Sequence, residues 1–444
     1  MRNKTIIKKT AIICGWLLIW QAAALLARIP LFFPGPFEVA KELILKLKNS
    51  SFITAVFSSY IRILAGLFIA TLLSYPAAFL SYRFKLIEEL LSVPAAFLKS
   101  VPVAAVVVLL LIWSGASHLV YYITFMVVFP NVYGNLLSGL KKTDSNMLEM
   151  ADVFNIPFFK RLRCIYRPAY LPYLKSAMSF SIGMSFKSGV AAEIIGLPDH
   201  SIGTGIYMDK IYLNTAGVFA WVIVILLLGF VSEKLILFAI DAFPMPKAHN
   251  NKTGHEHADA PGHIRAIKIN KSYDGKKVLN DVDTDIPAGS CVCLMGASGI
   301  GKTTLLKTIS GLIKPDSGSV SLQKTGMCFQ EDRLWEDADA AVNLWLAGCE
   351  GDLPAELKQL LPEETLNTPV KNLSGGEKRR IAVARALLSP SAQILLDEPF
   401  TGLDKDTRQK LISWILEKQN GRPMLVVSHD EEDAVLLKAK IISL

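Results

Sequence analysis

The chain has 444 residues, of which 51% are hydrophobic, so it is long enough for two or three domains and too apolar for an ordinary soluble protein. Its net charge of +8 is held unevenly: residues 1–245 carry 22 Lys and Arg against 12 Asp and Glu, and the remainder carries 25 against 27. The basic excess lies in the apolar half, which argues against a nucleic-acid partner and for loops facing anionic membrane lipids.

In chain order, the first feature is MRNKTIIKKTAIICGWLLIWQAAALLA, which looks like a signal peptide. Its apolar run is as long as a spanning helix needs and further spans follow, so it is expected to be a retained first helix. A bilayer core about 30 Å thick needs about 20 apolar helical residues. Six segments are expected to span: 10–28, 57–82, 98–114, 118–140, 172–195 and 216–240, the third being shortest and interrupted by Pro102. The stretch PFEVAKELILKLK at 36–48 is too charged to span and suits an interface. Arg2, Lys4, Lys8 and Lys9 place the N-terminus in the cytoplasm. Alternation then puts loop 141–171, with Lys141, Lys142, Lys160, Arg161, Arg163 and Arg167, on the same side as everything after 241. The expected location is the plasma (inner) membrane, multi-pass.

Two ionisable residues, Lys187 and Glu193, fall in the fifth span within GMSFKSGVAAEIIG. Charge at membrane depth is expensive and needs a reason. One reading has them line a translocation path, where Lys187 attracts an anion; the other has Lys187 snorkel or pair with a neighbouring helix. Their spacing puts them on different faces.

Residues 243–263, FPMPKAHNNKTGHEHADAPGH, have no apolar period and read as a linker, with domain limits at 1–245, 246–263 and 264–444. His249, His255, His257 and His263 lie there without a compact ligand framework, and the six cysteines have neither metal-ligand nor disulfide spacing.

From Ile264 short β-runs alternate with helices. CVCLMGASGIGKTT places a strand before a G-x-x-x-x-G-K-T turn and a helix. In such a loop Gly296, Ser298, Gly299 and Gly301 let backbone N–H groups wrap phosphates. Lys302 reaches the β- and γ-phosphates, Thr303 offers its hydroxyl to Mg²⁺, and Thr304 is also expected to bind the nucleotide. A second strand, QILLDEP, ends in Asp397 and Glu398, which suit the Mg²⁺ shell and a general base that polarises water.

The next segment, LSGGEKRRIAVARAL, resembles the signature of ATP-binding cassette ATPases, and other elements of that family occur in order. The resemblance implies an α/β P-loop NTPase domain that binds ATP with Mg²⁺. It implies that Tyr273 stacks on adenine, that Gln330 joins the metal shell with Thr303 and Asp397, and that Glu398, His429 and Gln330 are catalytic. It further implies that Ser374, Gly375, Gly376 and Asp404 complete the ATP site of a second copy, making a homodimer. The signature has Glu377 where Gln is commoner, and the crossing loop reads TGLD rather than SALD.

Residues 149–168, EMADVFNIPFFKRLRCIYRP, resemble the E-A-A-x3-G-x9-I-x-L-P loop of importer membrane subunits. Glu149, Ala151, Ile165 and Pro168 match, and Asn155 stands at the Gly position. The resemblance implies a coupling helix that docks on the ATPase near Gln330, its basic residues meeting an acidic rim. LFFPGPFEVAKEL, KSVPVAAVVVLLLIWSG and GVAAEIIG followed by SIGTGIY resemble the nitrate/sulfonate/taurine group of importer permeases. The expected fold is thus an all-α domain of six transmembrane helices fused to an ABC ATPase. The expected function is ATP-driven import of a small anion delivered by an extracytoplasmic solute-binding protein. Competing readings are a thiamine-pyrimidine precursor or other heterocycle as solute, an exporter half-molecule, and a non-transport membrane ATPase.

Overall fold

The computed structural model describes residues 2–27, 32–242 and 262–444. The chain divides into two compact units: Met1–Lys142 with Ala169–Pro244, and Thr143–Pro168 with Met245–Leu444. Most of the expected linker, with His249, His255 and His257, lies outside the described residues.

The first unit is helical. It comprises α1 (Arg2–Ala27), α2 (Pro36–Leu47), α3 (Ser50–Arg83), α4 (Lys85–Ser100) and α5 (Val103–Lys141). After α6 (Ser145–Val153), α7 (Phe158–Arg161) and a π-helical turn (Leu162–Tyr166), which belong to the second unit, it resumes with α8 (Arg167–Gly196), α9 (Ile202–Ile211) and α10 (Thr215–Asp241). Small residues on α3 let its neighbours approach: Ala55, Ser59, Gly66, Ala70, Ser74, Ala78 and Ser81 are all buried. A Cβ on Gly66 would come 2.8 Å from the Cβ of Thr124 on α5, and one on Gly139 of α5 would come 2.6 Å from the Tyr170 Cα of α8. Close contact between backbones is how helices associate where no water drives them together.

Among the described residues four helices are long and apolar enough to cross a membrane: Thr10–Ala27 of α1, then α3, α5 and α10. The expected boundary between the third and fourth segments, 114–118, falls inside α5. The third segment starts later than expected, because α4 ends at Ser100 and Pro102 caps α5 rather than interrupting a helix. Gly115 (φ 70°, ψ 173°) breaks α5 into two helices at that expected boundary. Its first part is about 18 Å long at 1.5 Å per residue, too short to span alone. Helix α8, the expected fifth span, is 30 residues long, but its serines, Lys187 and Glu193 lower its hydropathy.

The second unit is built on β1 (Ile264–Tyr273), β2 (Lys276–Ile286), β3 (Cys291–Met295), α11 (Lys302–Ile309), β4 (Ser317–Val320), β5 (Thr325–Cys328), α12 (Ala340–Leu346) and α13 (Leu353–Lys358). It continues with α14 (Gly375–Leu388), β6 (Gln393–Asp397), α15 (Lys405–Lys418), β7 (Met424–Val427), α16 (Glu431–Leu436) and β8 (Lys440–Ser443). Strands β2-β1-β4 form an antiparallel sheet, and β5-β6-β7-β3-β8 a parallel one. Every residue of β6 and β7 is buried, as their apolar runs require of a sheet covered on both faces. The carboxyl ends of β5, β6, β7 and β3 therefore lie in a row, and each opens into a segment that carries at least one expected functional residue.

Candidate nucleotide site

The loop after β3 needs glycine. Gly296, Gly299 and Gly301 have φ of 151°, 83° and 117°, where an L side chain is strained. A Cβ on Gly301 would also come 2.9 Å from the Val278 carbonyl of β2. Gly301 caps α11, and Lys302 folds back across the loop, its Nζ donating to the Gly296 carbonyl at 2.6 Å and the Ala297 carbonyl at 3.1 Å. Ser298 and Gly299 are exposed at the tip, and Thr304 is half-buried, one turn into the helix.

Two strands away in the sheet, Asp397 ends β6. The Thr303 hydroxyl donates to its Oδ2 at 2.9 Å. Burial raises the Asp397 carboxyl above the usual range, and Glu398 adds to this, although the Thr303 bond opposes it. Glu398 sits at φ 49°, an uncommon value for a residue with a side chain. Its Oε1 lies 3.1 Å from His429 Nε2, just past β7. Gln330 is exposed two residues beyond β5, the strand paired with β6. Thus Lys302, Thr303, Asp397, Glu398, His429 and Gln330 share one edge of the sheet.

Other expected residues lie apart from this row. Tyr273 is 43% exposed at the β1–β2 hairpin, 5.7 Å from Lys271 Nζ. Ser374 is the exposed N-cap of α14 and forms a capping box: Glu377 N–H donates to its Oγ at 3.3 Å, and its own N–H donates to Glu377 Oε2 at 2.8 Å. This gives the unusual Glu377 a local reason. Gly375 is exposed, and a Cβ on Gly376 would come 3.2 Å from Leu403 in the TGLD loop. Asp404 is exposed and caps α15 through Thr407 N–H at 3.0 Å.

The loop between α5 and α8 belongs to this unit. Met150, Ala151, Val153, Ile156, Cys164 and Ile165 join the core that contains Leu305, Leu306, Phe329 and Trp335. Glu149 Oε2 accepts from Arg333 Nη1 at 2.8 Å and from Lys307 Nζ at 3.1 Å. Burial opposes ionisation of Glu149, but these two cations outweigh it and hold the carboxyl below the usual range. Helix α6 ends in a Schellman turn: Ile156 N–H donates to the Ala151 carbonyl, and Asn155 N–H to that of Asp152. Asn155 is left-handed at φ 49°, which is why glycine is favoured at that place and why Asn suits it. Pro168 directly follows the π-helical turn in a helix that runs unbroken from Phe158 to Gly196, and its missing N–H falls at that irregular turn.

A comparison of families matches residues 62–238 to the binding-protein-dependent transport system inner membrane component and residues 279–401 to the ABC transporter family. The aliphatic sulfonates import ATP-binding protein SsuB 1 of Pseudomonas syringae pv. tomato is 36% identical over 191 residues, covering 41% of this chain and 71% of that protein. SsuB 3 of Nocardia farcinica is 38% identical over 181 residues, covering 39% and 73%. A solved dimeric bacterial ABC transporter cassette is 29% identical over 41% of this chain and 94% of that one, with a TM-score of 0.38.

The chain belongs to the ABC transporter family. It is an integral membrane ABC transporter that joins an importer-type permease and an ATP-hydrolysing cassette in one chain. Within this transporter the loop contact departs from expectation at its centre, where an acidic residue, Glu149, meets two cations. Basic Lys160 stacks 4.2 Å from the Trp345 ring, and Arg161 turns back to its own Asp152. Arg333 and Lys307 had no motif to announce them, but each lies a few residues beyond one: Arg333 follows Gln330, and Lys307 follows Lys302 on the same helix.

In the transporter's permease unit the two charges of α8 have opposite settings. Lys187 is exposed between buried Phe186 and Ser188. Glu193 is wholly buried; Ser59 Oγ donates to it at 2.7 Å and Gly203 N–H at 3.1 Å, with Arg62 Nη1 at 3.8 Å. Glu193 therefore ties α3, α8 and the start of α9 together.

Proposed function

We propose that two copies of the chain form a binding-protein-dependent importer that hydrolyses ATP at two composite sites, with the cassette in the cytoplasm. The observation that carries this reading is the seating of Glu149 between Arg333 and Lys307. A loop spliced between two permease helices is thereby anchored three residues from Gln330 and five residues from Lys302. Movement at the nucleotide then has a short mechanical route to the permease.

In this reading Lys302 and the N–H groups of the 296–304 loop hold the phosphates, and Tyr273 stacks on the adenine. The hydroxyl of Thr303 and the carboxylate of Asp397, already bonded to each other, form an oxygen donor set that suits Mg²⁺, with Gln330 alongside. Bound there, Mg²⁺ would neutralise phosphate charge. Glu398 takes the proton of the attacking water, and His429, 3.1 Å away, orients it. Exposed Ser374, Gly375 and Asp404, with half-buried Gly376, complete the partner's site.

For the solute we propose a small sulfonate-like oxyanion, delivered by an extracytoplasmic binding protein. The sulfonate-import relatives support this, as does Lys187, an exposed cation at membrane depth. The test is uptake of radiolabelled taurine, an alkanesulfonate, nitrate and a pyrimidine into proteoliposomes with candidate solute-binding proteins, using wild type and Glu398→Gln. Wild-type uptake of the sulfonates, with turnover in the variant reduced about 10²- to 10⁴-fold, is expected. Normal turnover in Glu398→Gln would reject the base, and uptake of the pyrimidine alone would reject the anion.

A further inference from the structure

The most heavily bonded side chain near the nucleotide site is Arg379, which lies in the signature segment but has been given no role above. It lies on α14, one turn past the Ser374 cap, with its side chain 4% exposed. Its Nη1 faces the carbonyls of Phe329 at 2.6 Å and Gln330 at 3.1 Å and the Asp332 carboxylate at 3.1 Å. Its Nη2 donates to the carbonyls of Asp397 and, at 2.6 Å, Glu398. One guanidinium thus grips the backbone of both segments that leave β5 and β6.

The Glu398 position needs such a grip. Its left-handed φ of 49° costs free energy in a residue with a Cβ, and such backbone persists only where its surroundings over-determine it. Two carbonyls flanking that residue's backbone receive N–H groups from one rigid fork. A planar, permanently charged fork satisfies divergent acceptors at fixed geometry, which an ammonium on a flexible stem does not.

We propose that Arg379 is a positioning residue that sets the orientation of Glu398 and Gln330 of its own chain for hydrolysis. It touches neither nucleotide nor water and acts through the peptides it holds. The inference rests on the assignment of Glu398 as base. Helix α14 also presents Ser374 and Gly375, so the element proposed to meet the partner's nucleotide fixes the base of its own chain.

The test uses the full-length transporter in proteoliposomes, measuring kcat, KM for ATP and binding of a fluorescent ATP analogue for Arg379→Lys, Arg379→Gln and Asp332→Asn. A misplacement of about 1 Å costs about 100-fold in rate. The expected result is a kcat about 10- to 100-fold lower in both arginine variants, KM within about threefold of wild type, and a smaller loss in Asp332→Asn. Lysine restoring full kcat would overturn the proposal, since charge alone would then suffice. So would a wild-type kcat per nucleotide-binding site in the folded fraction of any arginine variant. If neither arginine variant folds, Asp332→Asn decides: an unchanged kcat there rejects the role.

Mixed dimers separate this from a role in the signature contact. With Arg379→Lys and Glu398→Gln on the same chain beside a wild-type partner, turnover should match the dimer that carries Glu398→Gln alone. With the two changes on opposite chains, turnover should fall by the full factor. The reverse pattern would overturn the proposal. Glu398→Gln on both chains is the control for the base itself: retained turnover there rejects the base assignment, whatever the Arg379 variants do.

Discussion

Glu149 and Glu193 make a useful pair because each is a carboxylate in a mostly apolar setting, one in the cassette unit and one in the permease unit. Glu193 has no exposed surface, and its partners are a serine hydroxyl and a backbone N–H, with a guanidinium at 3.8 Å. Glu149 has a side chain 39% exposed and two direct ionic partners. The first arrangement is rigid and specific, because hydrogen bonds in a dry interior have strict geometry and an unmet partner costs its full desolvation. The second is adjustable, because water and salt share the work. A transporter needs both kinds: a tie that holds helices in register, and a contact that can yield when the nucleotide turns over.

The largest effect that would break this comparison lies at Glu193. Glu193→Ala leaves the Ser59 hydroxyl and the Gly203 N–H without their acceptor and Arg62 without its counter-charge, and removing one partner of a buried charged cluster costs about 3–5 kcal/mol. Thermal unfolding of the detergent-solubilised protein should fall sharply, with Glu193→Gln intermediate because an amide oxygen still accepts. Unchanged melting in the alanine variant would show that the cluster is not a tie. If instead solute transport were lost with stability intact, Glu193 would return to the translocation path.

A smaller effect is expected at Glu149. Each of its ion pairs is partly solvated, so screening limits its worth. Glu149→Ala should retain ATP turnover while uptake per ATP falls a few-fold, on the order of the loss of one or two screened pairs. The pH dependence has a definite sign. Arg333 and Lys307 depress the Glu149 carboxyl in the folded state despite its burial. Its contribution is therefore fully present above the ordinary carboxylate value and is lost only as pH falls through the depressed one. Coupling should accordingly survive mild acid and weaken with added salt at neutral pH. Loss of coupling on mild acidification with no response to salt would contradict the ionic account.

The same contrast explains what could be read in advance. The cassette residues were legible because phosphate chemistry demands particular types in particular order. A glycine turn before Lys302, an acidic pair ending a buried strand and a histidine after the next strand fall on one sheet edge. The permease was legible only as pattern. Hydropathy found the apolar stretches and the boundary near Gly115 where α5 breaks, but it began the third segment too early, since Pro102 reads as a break within a span when it is in fact the cap of the helix that follows. No periodicity announced that Glu193 would be capped by the start of α9, because that contact joins residues brought together only by packing. Arg379 and Arg333 were invisible for a related reason: their partners are mainly backbone carbonyls or a distant loop, which carry no side-chain signature.

The smallest effect sharpens the comparison at one backbone angle. At Asn155 the chain leaves α6 through a left-handed residue, and the Schellman bonds from Asn155 and Ile156 fix where Arg161 can reach the Ala151 and Ile156 carbonyls. The orientation of α6, and with it of Glu149 toward Arg333, depends on that turn. Asn155→Gly removes the Cβ strain at the cost of a looser unfolded chain, so it should change stability by less than about 1 kcal/mol and leave coupling intact. Asn155→Val puts a β-branched side chain where even an ordinary one costs about 1–2 kcal/mol, so it should lower uptake per ATP while the cassette still binds nucleotide. Both variants are read by thermal unfolding and by the ratio of uptake to ATP hydrolysed. A valine variant with wild-type coupling would mean that α6 is held by its buried face alone, through Met150, Ala151 and Val153, and that the turn merely follows.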